Sequence, residues 1–398
     1  MEKQETINSS KANISYPQLP PLFHELYESI QSYTMPKGYK QQDVSVLRGA
    51  KDDTHRFLSV IIRTTGKRIF MLEQTLTCLL AQQNSDFNVI IVMHNPESEL
   101  EMDNVIDLVE SFPSSLTDKL TILEVNGGRR GVPMNVGICE SKSKYVAFLD
   151  DDDLVTRAWV SSFHETAISN PNKICRNRCV DRAIQKRNDN DFAPVLTLSN
   201  WIVSRSDKFN FIENLERNCA PLHSYAIPKQ MIVDFDTYVD VSLNVAEDWE
   251  YFMRNAALLG VADHNSTTAI YNRWANNESS SHLHEEEEWV KAHQDTIERF
   301  KSRSLAIPGK EVGGLFSVFG ILYQMRDLVE FLVKADGFGE IHERLNKLNR
   351  FEAYARIEKS RGVLLADAGI KVLFRRLASR IKYKSISIIK RNLGKLKK

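Results

Sequence analysis

The chain has 398 residues, 42% hydrophobic and 26% charged, ordinary for a globular protein with room for more than one domain. Its 52 basic and 52 acidic residues cancel, which excludes a general electrostatic pull toward nucleic acid. Five cysteines (Cys78, Cys139, Cys175, Cys179, Cys219) without a CxxC pair exclude a zinc ribbon and point to free thiols in a reducing compartment.

Residues 1–10 lack the apolar core of a signal peptide, and no run approaches ~18 consecutive apolar residues. A cytoplasmic protein without a transmembrane helix is therefore expected. Residues 1–20 are polar, with Pro17, Pro20 and Pro21, and read as loosely attached. Phe23, Leu26, Tyr27 and Ile30 make a helical stripe over 22–33, and 34–56 reads as irregular. Residues 1–56 are thus an N-terminal extension with one helix.

Regular alternation begins at Phe57. Strands are expected at 57–63, 87–93 and 120–125, with helices at 68–82 and 98–111 between them. Gly127-Gly128-Arg129-Arg130-Gly131 then leads into a short helix around 134–139. Strand–helix alternation at this spacing predicts βαβ units and a parallel sheet. Right-handed crossovers put the carboxyl ends of all these strands on one edge. The loops after Arg63, Met93, Val125 and Leu149 should converge there.

Next comes Tyr145-Val146-Ala147-Phe148-Leu149, running into Asp150-Asp151-Asp152-Asp153. The apolar part reads as a buried strand, because a parallel strand is covered on both faces. Adjacent carboxylates repel, so the acids belong at the strand's carboxyl end, where a divalent cation and a diphosphate can be held. The plainer alternative is a solvated turn capping the helix over 158–169.

Residues 170–191 carry Lys173, Arg176, Arg178, Arg182, Lys186 and Arg187 and read as an inserted loop or lid. It would either hold acceptor phosphates or be a mobile exposed loop. Strands follow at 195–203, 222–227 and 269–272, and helices at 246–259 and 285–300. His282 and His284 before Glu285 lack the spacing of a zinc helix. From Gly313 the pattern is helical, with amphipathic stretches at 315–335 and 341–358. Residues 369–398 contain no Asp or Glu, and Ile370, Leu373, Phe374, Leu377 and Ile381 share a helical face. Such a segment suits either peripheral contact with an anionic membrane or docking on its own domain.

Four motifs occur in order: LSVIIRTT with LEQTLTCLLAQQ, VNGGRRGVPMNVGI, YVAFLDDDD, and AEDWEYFMRNAALLG followed by YNRWANNESSS. This ordered set resembles the family 2 glycosyltransferases of the GT-A fold over about residues 57–282. The resemblance implies an α/β, Rossmann-like domain with a mostly parallel central sheet, placed at 57–300, and the helical pattern beyond it makes 301–398 a separate helical region. It implies transfer of a sugar from a nucleotide-sugar donor to a hydroxyl of a glycan or glycolipid acceptor, with inversion. It also implies Mn²⁺ or Mg²⁺ at Asp150 and Asp152, with Asp151 beside them against the donor. By the same resemblance Asn135 and Gly137 lie against the nucleotide, and Arg129 or Arg130 stands in for an arginine replaced by Met134. Asp248 of the Glu247-Asp248 pair is the catalytic base, Arg254 follows it, and Arg273, Asn277 and Ser279 close over the diphosphate. The aspartate usual after the second strand is absent, so His94 or Asn95 takes the base contact, with Thr64 or Thr65 on the nucleoside.

The chemistry stands on its own terms. Charge building on a leaving diphosphate needs a cation, and the attacking hydroxyl needs a base. The plain reading of Glu247-Asp248 is a pair of acids in a first helical turn. Trp201, Trp249 and Trp274 are either sugar platforms or core. Two rival functions follow from the same residues. A sugar nucleotidyltransferase would use Arg63 to Arg68, a poor match, as its phosphate loop, and a nucleotide-sugar-binding scaffold would bind without turnover.

Overall fold

A computed structural model of the chain describes residues 44–186, 195–203, 205–216, 218–275, 286–301 and Tyr323. Chain contacts divide it into Met1–Ala306 and Ile307–Lys398, and every element below belongs to the first unit. The expected helices at 22–33, 315–335 and 341–358 and the basic segment 369–398 lie outside the described residues. So do Asn277, Ser279, His282 and His284.

The strands are β1 Val44–Arg48, β2 Leu58–Thr64, β3 Phe87–His94, β4 Leu120–Val125, β5 Tyr145–Phe148, β6 Leu154–Val155, β7 Ile174–Lys186, β8 Val195–Thr197, β9 Tyr225–Pro228 and β10 Val261–Trp274. The helices are α1 Ile69–Leu80, α2 Glu99–Glu110, α3 Ser114–Thr117, α4 Gly131–Glu140, α5 Trp159–Ser169, α6 Phe211–Glu216, α7 Lys229–Asp234, α8 Glu247–Leu259 and α9 Glu286–Lys301. All strands join one sheet in the order β1-β4-β3-β2-β5-β9-β7-β10-β6, with β8 beside β7.

The block β4-β3-β2-β5 is parallel throughout, as the βαβ pattern predicts. Its two faces explain the near-continuous apolar strands. Val60 and Ile62 of β2 pack with Leu72 and Leu76 of α1 on one side. Ile61, between them, packs with Val136 of α4 on the other. A Cβ on Gly137 would sit 2.3 Å from Ile61 Cγ2, so only glycine lets α4 lie this close to β2.

Beyond β5 the sheet departs from expectation. The segment 170–191, read as a lid, contains β7, a 13-residue strand, and residues 187–191 lie outside the described ones. It runs parallel to β10, which spans Val261–Trp274 and is longer than the 269–272 anticipated. The basic side chains are largely packed: Arg176 is buried, with its Nε 2.6 Å from Asp263 Oδ1 of β10. Local pattern hides such a strand because its buried positions carry Arg176, Asn177 and Asp181. Cys175 and Cys179 consequently lie on a strand and not on a helix.

The stretch 34–56, read as irregular, supplies β1, antiparallel to β4. Of the strand expected at 195–203, β8 covers only three residues, and Ile202 adds a single bridge to Asp181. The strand at 222–227 is a 3₁₀ turn, Leu222–Ser224, followed by β9.

Candidate active site

The carboxyl ends of β2, β3, β4 and β5 open on one edge, as expected. There a cleft of about 1100 Å³ is lined by Arg63, Thr64, Thr65 and Arg68 after β2, His94 of β3, Arg130 before α4 and Asp150 to Asp153. The far wall comes from Ala246 to Trp249 at the start of α8, Tyr271 to Trp274 of β10, and Trp289 and His293 of α9. Residues more than a hundred positions apart thus meet in one concave site.

The aspartates have four different environments. Asp150 takes a fork from Arg63, Nε to Oδ1 at 2.7 Å and Nη2 to Oδ2 at 3.3 Å. Burial would raise its pKa, but the Arg63 charge outweighs this and holds it below the usual range. Asp151 is buried and accepts from Thr64 Oγ1 at 2.6 Å. Burial, with the neighbouring Asp152 charge, pushes its carboxyl up to about 7. Asp152 Oδ2 receives Arg68 and, at 2.8 Å, Trp274 Nε1. Asp153 accepts the Asn272 backbone N–H at 2.9 Å and lies 3.0 Å from His223 Nδ1. That last contact is misaligned for a hydrogen bond and acts through charge. Asn272 donates its side-chain amide to the Asp152 carbonyl at 2.6 Å, so β10 props the acidic turn from behind.

Opposite the aspartates stand Glu247 and Asp248. Glu247 is 2% exposed; its Oε1 is 2.7 Å from Arg63 Nη1 and 3.6 Å from Arg130 Nε. Burial raises Glu247, but Arg130 and Arg63 together hold it below its ordinary value. Asp248 has no such partner: its Oδ1 accepts only the Trp249 backbone N–H, at 2.8 Å. Burial, with Glu247's negative charge beside it, pushes Asp248 up to about 6. Two adjacent carboxyls are thereby driven apart in acidity, an arrangement that separates a fixed anion from a group able to exchange a proton near neutrality. The turn presenting them is strained: Ala246, the N-cap of α8, has φ +59°, the left-handed region that disfavours alanine.

Residues 59–218 match the model of the family described as Glycosyl transferase family 2. Over these residues the chain is similar to the family 2 glycosyltransferases. The match includes Asp150 to Asp153 and ends before Glu247, Asp248 and Arg273, whose roles rest on the geometry above. Poly(ribitol-phosphate) beta-N-acetylglucosaminyltransferase TarS of Staphylococcus aureus, from strains Mu50 and MW2, is 25% identical over 206 residues, 49% of this chain and 32% of the relative. The chain thus spans about a third of the length of these curated relatives. Among solved structures, S. aureus TarS 1-349 in complex with UDP-GlcNAc is 16% identical, with TM-score 0.48, covering 63% of this chain and 68% of that one. The same fragment with UDP gives TM-score 0.45 at 16% identity, covering 63% and 67%.

Several anticipated site residues lie in the cleft: Thr64, Thr65, His94, Arg130, Asp150, Asp151, Asp152, Asp248 and Arg273. Others do not line it. Asn135, expected on the nucleotide, is 1% exposed and clamps Val239 with both ends of its amide, at 2.8 Å each. Asn95 has φ +51° and holds the Gly127 N–H at 2.6 Å, shaping the loop around His94. Arg129 is committed to the Ser242 carbonyl, and Arg254 to Glu250 at 2.9 Å. Trp249 and Trp274 are buried at 3% and 8% and each donates its indole N–H, so they act as wall rather than open platforms.

Arg205, His223 and Tyr271 were missed from sequence, and Arg63 and Arg68 were read only as part of a rival phosphate loop. The signal available was the paired requirement: buried acids at Asp150 and Glu247 must find cations, and Arg63 ends the central strand. No helix of the described residues is long and apolar enough to cross a membrane.

The donor set suits a divalent cation shared with substrate. Among the described residues no three His, Cys, Asp or Glu side chains form a metal cage. Mg²⁺ and Mn²⁺ do not need one: one or two carboxylates and the substrate's phosphates suffice. Asp152 offers Oδ1, on which no described hydrogen bond ends, on the cleft wall beside Asp150.

Proposed function

We propose that the chain transfers a sugar from a nucleoside-diphosphate sugar to a hydroxyl of a cell-envelope glycan or glycolipid, by metal-assisted single displacement with inversion. The observation that carries it is the separation of Glu247 from Asp248: one locked as an anion by Arg63 and Arg130, the other raised to about 6. Asp248 is the base that takes the acceptor hydroxyl's proton. Glu247, fixed between two guanidiniums, is unsuited to attack the sugar.

Asp150 and Asp152 would hold Mn²⁺ or Mg²⁺, which when bound supplies positive charge to the leaving diphosphate. Arg68, Arg130 and Arg273, all lining the cleft, add fixed positive charge for the same group. His94 and Thr65, which line the cleft at the ends of β3 and β2, would contact the nucleoside. The curated relatives are named for transferring N-acetylglucosamine to poly(ribitol-phosphate), which supports an anionic envelope polymer or glycolipid as acceptor class. Lys67 is paired with Glu97 and does not line the cleft, which weighs against a nucleotidyltransferase phosphate loop.

Asp248→Asn tests the reading. A transferase loses turnover by roughly 10²–10⁴-fold while nucleotide binding persists. A binding scaffold would show no turnover to lose, and that result would overturn the proposal.

A further inference from the structure

The surface beside the cleft is apolar where a globular protein should be polar. Leu196, Leu198, Trp201, Ile202 and Val203 are 39%, 45%, 61%, 51% and 72% exposed and fall within eight consecutive positions. Single exposed apolar residues are ordinary, but a concentrated group marks an interaction site. The segment is anchored rather than adrift. Val195 packs against Met71, Ile184 and Trp274, the Leu198 N–H bonds the Ala183 carbonyl at 2.8 Å, and Ile202 bridges Asp181 in both directions at 2.8 and 2.9 Å.

Its rim is cationic. Arg205 Nε is 3.2 Å and Arg273 Nη2 2.8 Å from Asp181, the residue that Ile202 bridges, and both arginines line the cleft. Lys186, opposite Val195 in the β7–β8 ladder, adds further charge, and Arg178 is paired with Asp207. Exposed indole and aliphatic side chains flanked by Arg205, Arg273 and Lys186 match the chemistry of a bilayer interface, where apolar groups enter the acyl boundary and cations meet headgroup phosphates.

We propose that residues 196–203 are a membrane-docking surface that seats the mouth of the cleft on an anionic lipid bilayer. This rests on the transferase reading and narrows its acceptor to one that is lipid-linked. A docked cleft takes an acceptor hydroxyl from the bilayer surface, while the nucleotide donor enters from water.

Trp201 supplies its own probe. Trp159, Trp249 and Trp274 are buried, Trp289 is half-buried, and residues 369–398 contain no tryptophan. The full chain is mixed with phosphatidylcholine vesicles, with and without phosphatidylglycerol, carrying brominated acyl chains. Quenching of tryptophan emission on the anionic vesicles, absent in Trp201→Phe, is the expected result. The vesicle partition coefficient read from co-sedimentation should fall by about a thousandfold in the triple variant W201S/I202S/V203S, since each large apolar side chain withdrawn from an apolar phase is worth about tenfold or more. Equal quenching in wild type and W201F, equal sedimentation of wild type and triple variant, or no binding to either vesicle would overturn the proposal. So would loss of folding in the triple variant, because these side chains would then be packed within the protein. Nucleotide-dependent thermal stabilisation, measured without vesicles, reports the donor site separately, so a failed docking surface and a failed transferase reading give different results.

Discussion

Arg63 Nη1 lies 2.7 Å from Glu247 Oε1, while Nε of the same guanidinium lies 2.7 Å from Asp150 Oδ1. One buried side chain at the end of β2 therefore ties the acidic turn after β5 to the first turn of α8. Arg63→Met would leave buried Glu247 and half-buried Asp150 without their shared cation. Removing one partner of a buried ion pair costs about 3–5 kcal/mol. The urea midpoint should fall accordingly. Arg63→Lys should recover only part, because an ammonium cannot fork to two carboxylates.

The pH dependence of turnover has a definite sign. Asp248 must be ionised to accept a proton, and burial beside Glu247 raises it to about 6. The value of kcat/KM should therefore fall as pH drops below about 6 and level off above it. Glu247→Gln removes the like charge and frees Arg63 and Arg130 to act on Asp248. Both changes favour the carboxylate, so the acidic limb should move to lower pH. An unmoved limb would exclude Asp248 as the titrating group.

Nucleotide recognition can be read without an acceptor. Thermal unfolding measured with UDP, GDP, TDP or CDP, each with and without Mn²⁺, should show one diphosphate stabilising the fold in a metal-dependent manner. A ligand at 100 times its dissociation constant adds about 2.7 kcal/mol. Asp152→Asn should abolish the metal-dependent part, because it replaces the carboxylate facing the cleft.

Gly137 tests the packing that holds α4 under the cleft. Gly137→Ala places a methyl group 2.3 Å from Ile61 Cγ2 on the central strand. Overpacking of this kind costs about 1–3 kcal/mol. Ile61→Ala in the same chain removes Cγ1, Cγ2 and Cδ1 and should return part of the loss, an interaction that a double-mutant cycle on chemical denaturation would detect.

Much of this was legible in the residues themselves. The strands 57–63, 87–93 and 120–125, the helices between them and the apolar strand running into Asp150 were all readable. Their burial is apolar, and apolar periodicity is a local signal. Convergence of the loops after β2, β3, β4 and β5 followed from handedness alone. Sequence also singled out Asp248, as the base the resemblance implies, with a pair of acids in a first helical turn as the plainer alternative.

Tertiary structure decided the rest, for one physical reason: burial of polar groups depends on partners that are remote in the chain. β7 looked like a basic lid because its buried Arg176 is neutralised by Asp263, and Asn135 looked like a donor contact until Val239 claimed both ends of its amide. The difference between Glu247 and Asp248 is of the same kind. Two neighbouring acids acquire opposite acidities because Arg63 and Arg130, well over a hundred residues earlier, pair directly with Glu247 and act on Asp248 only from farther off.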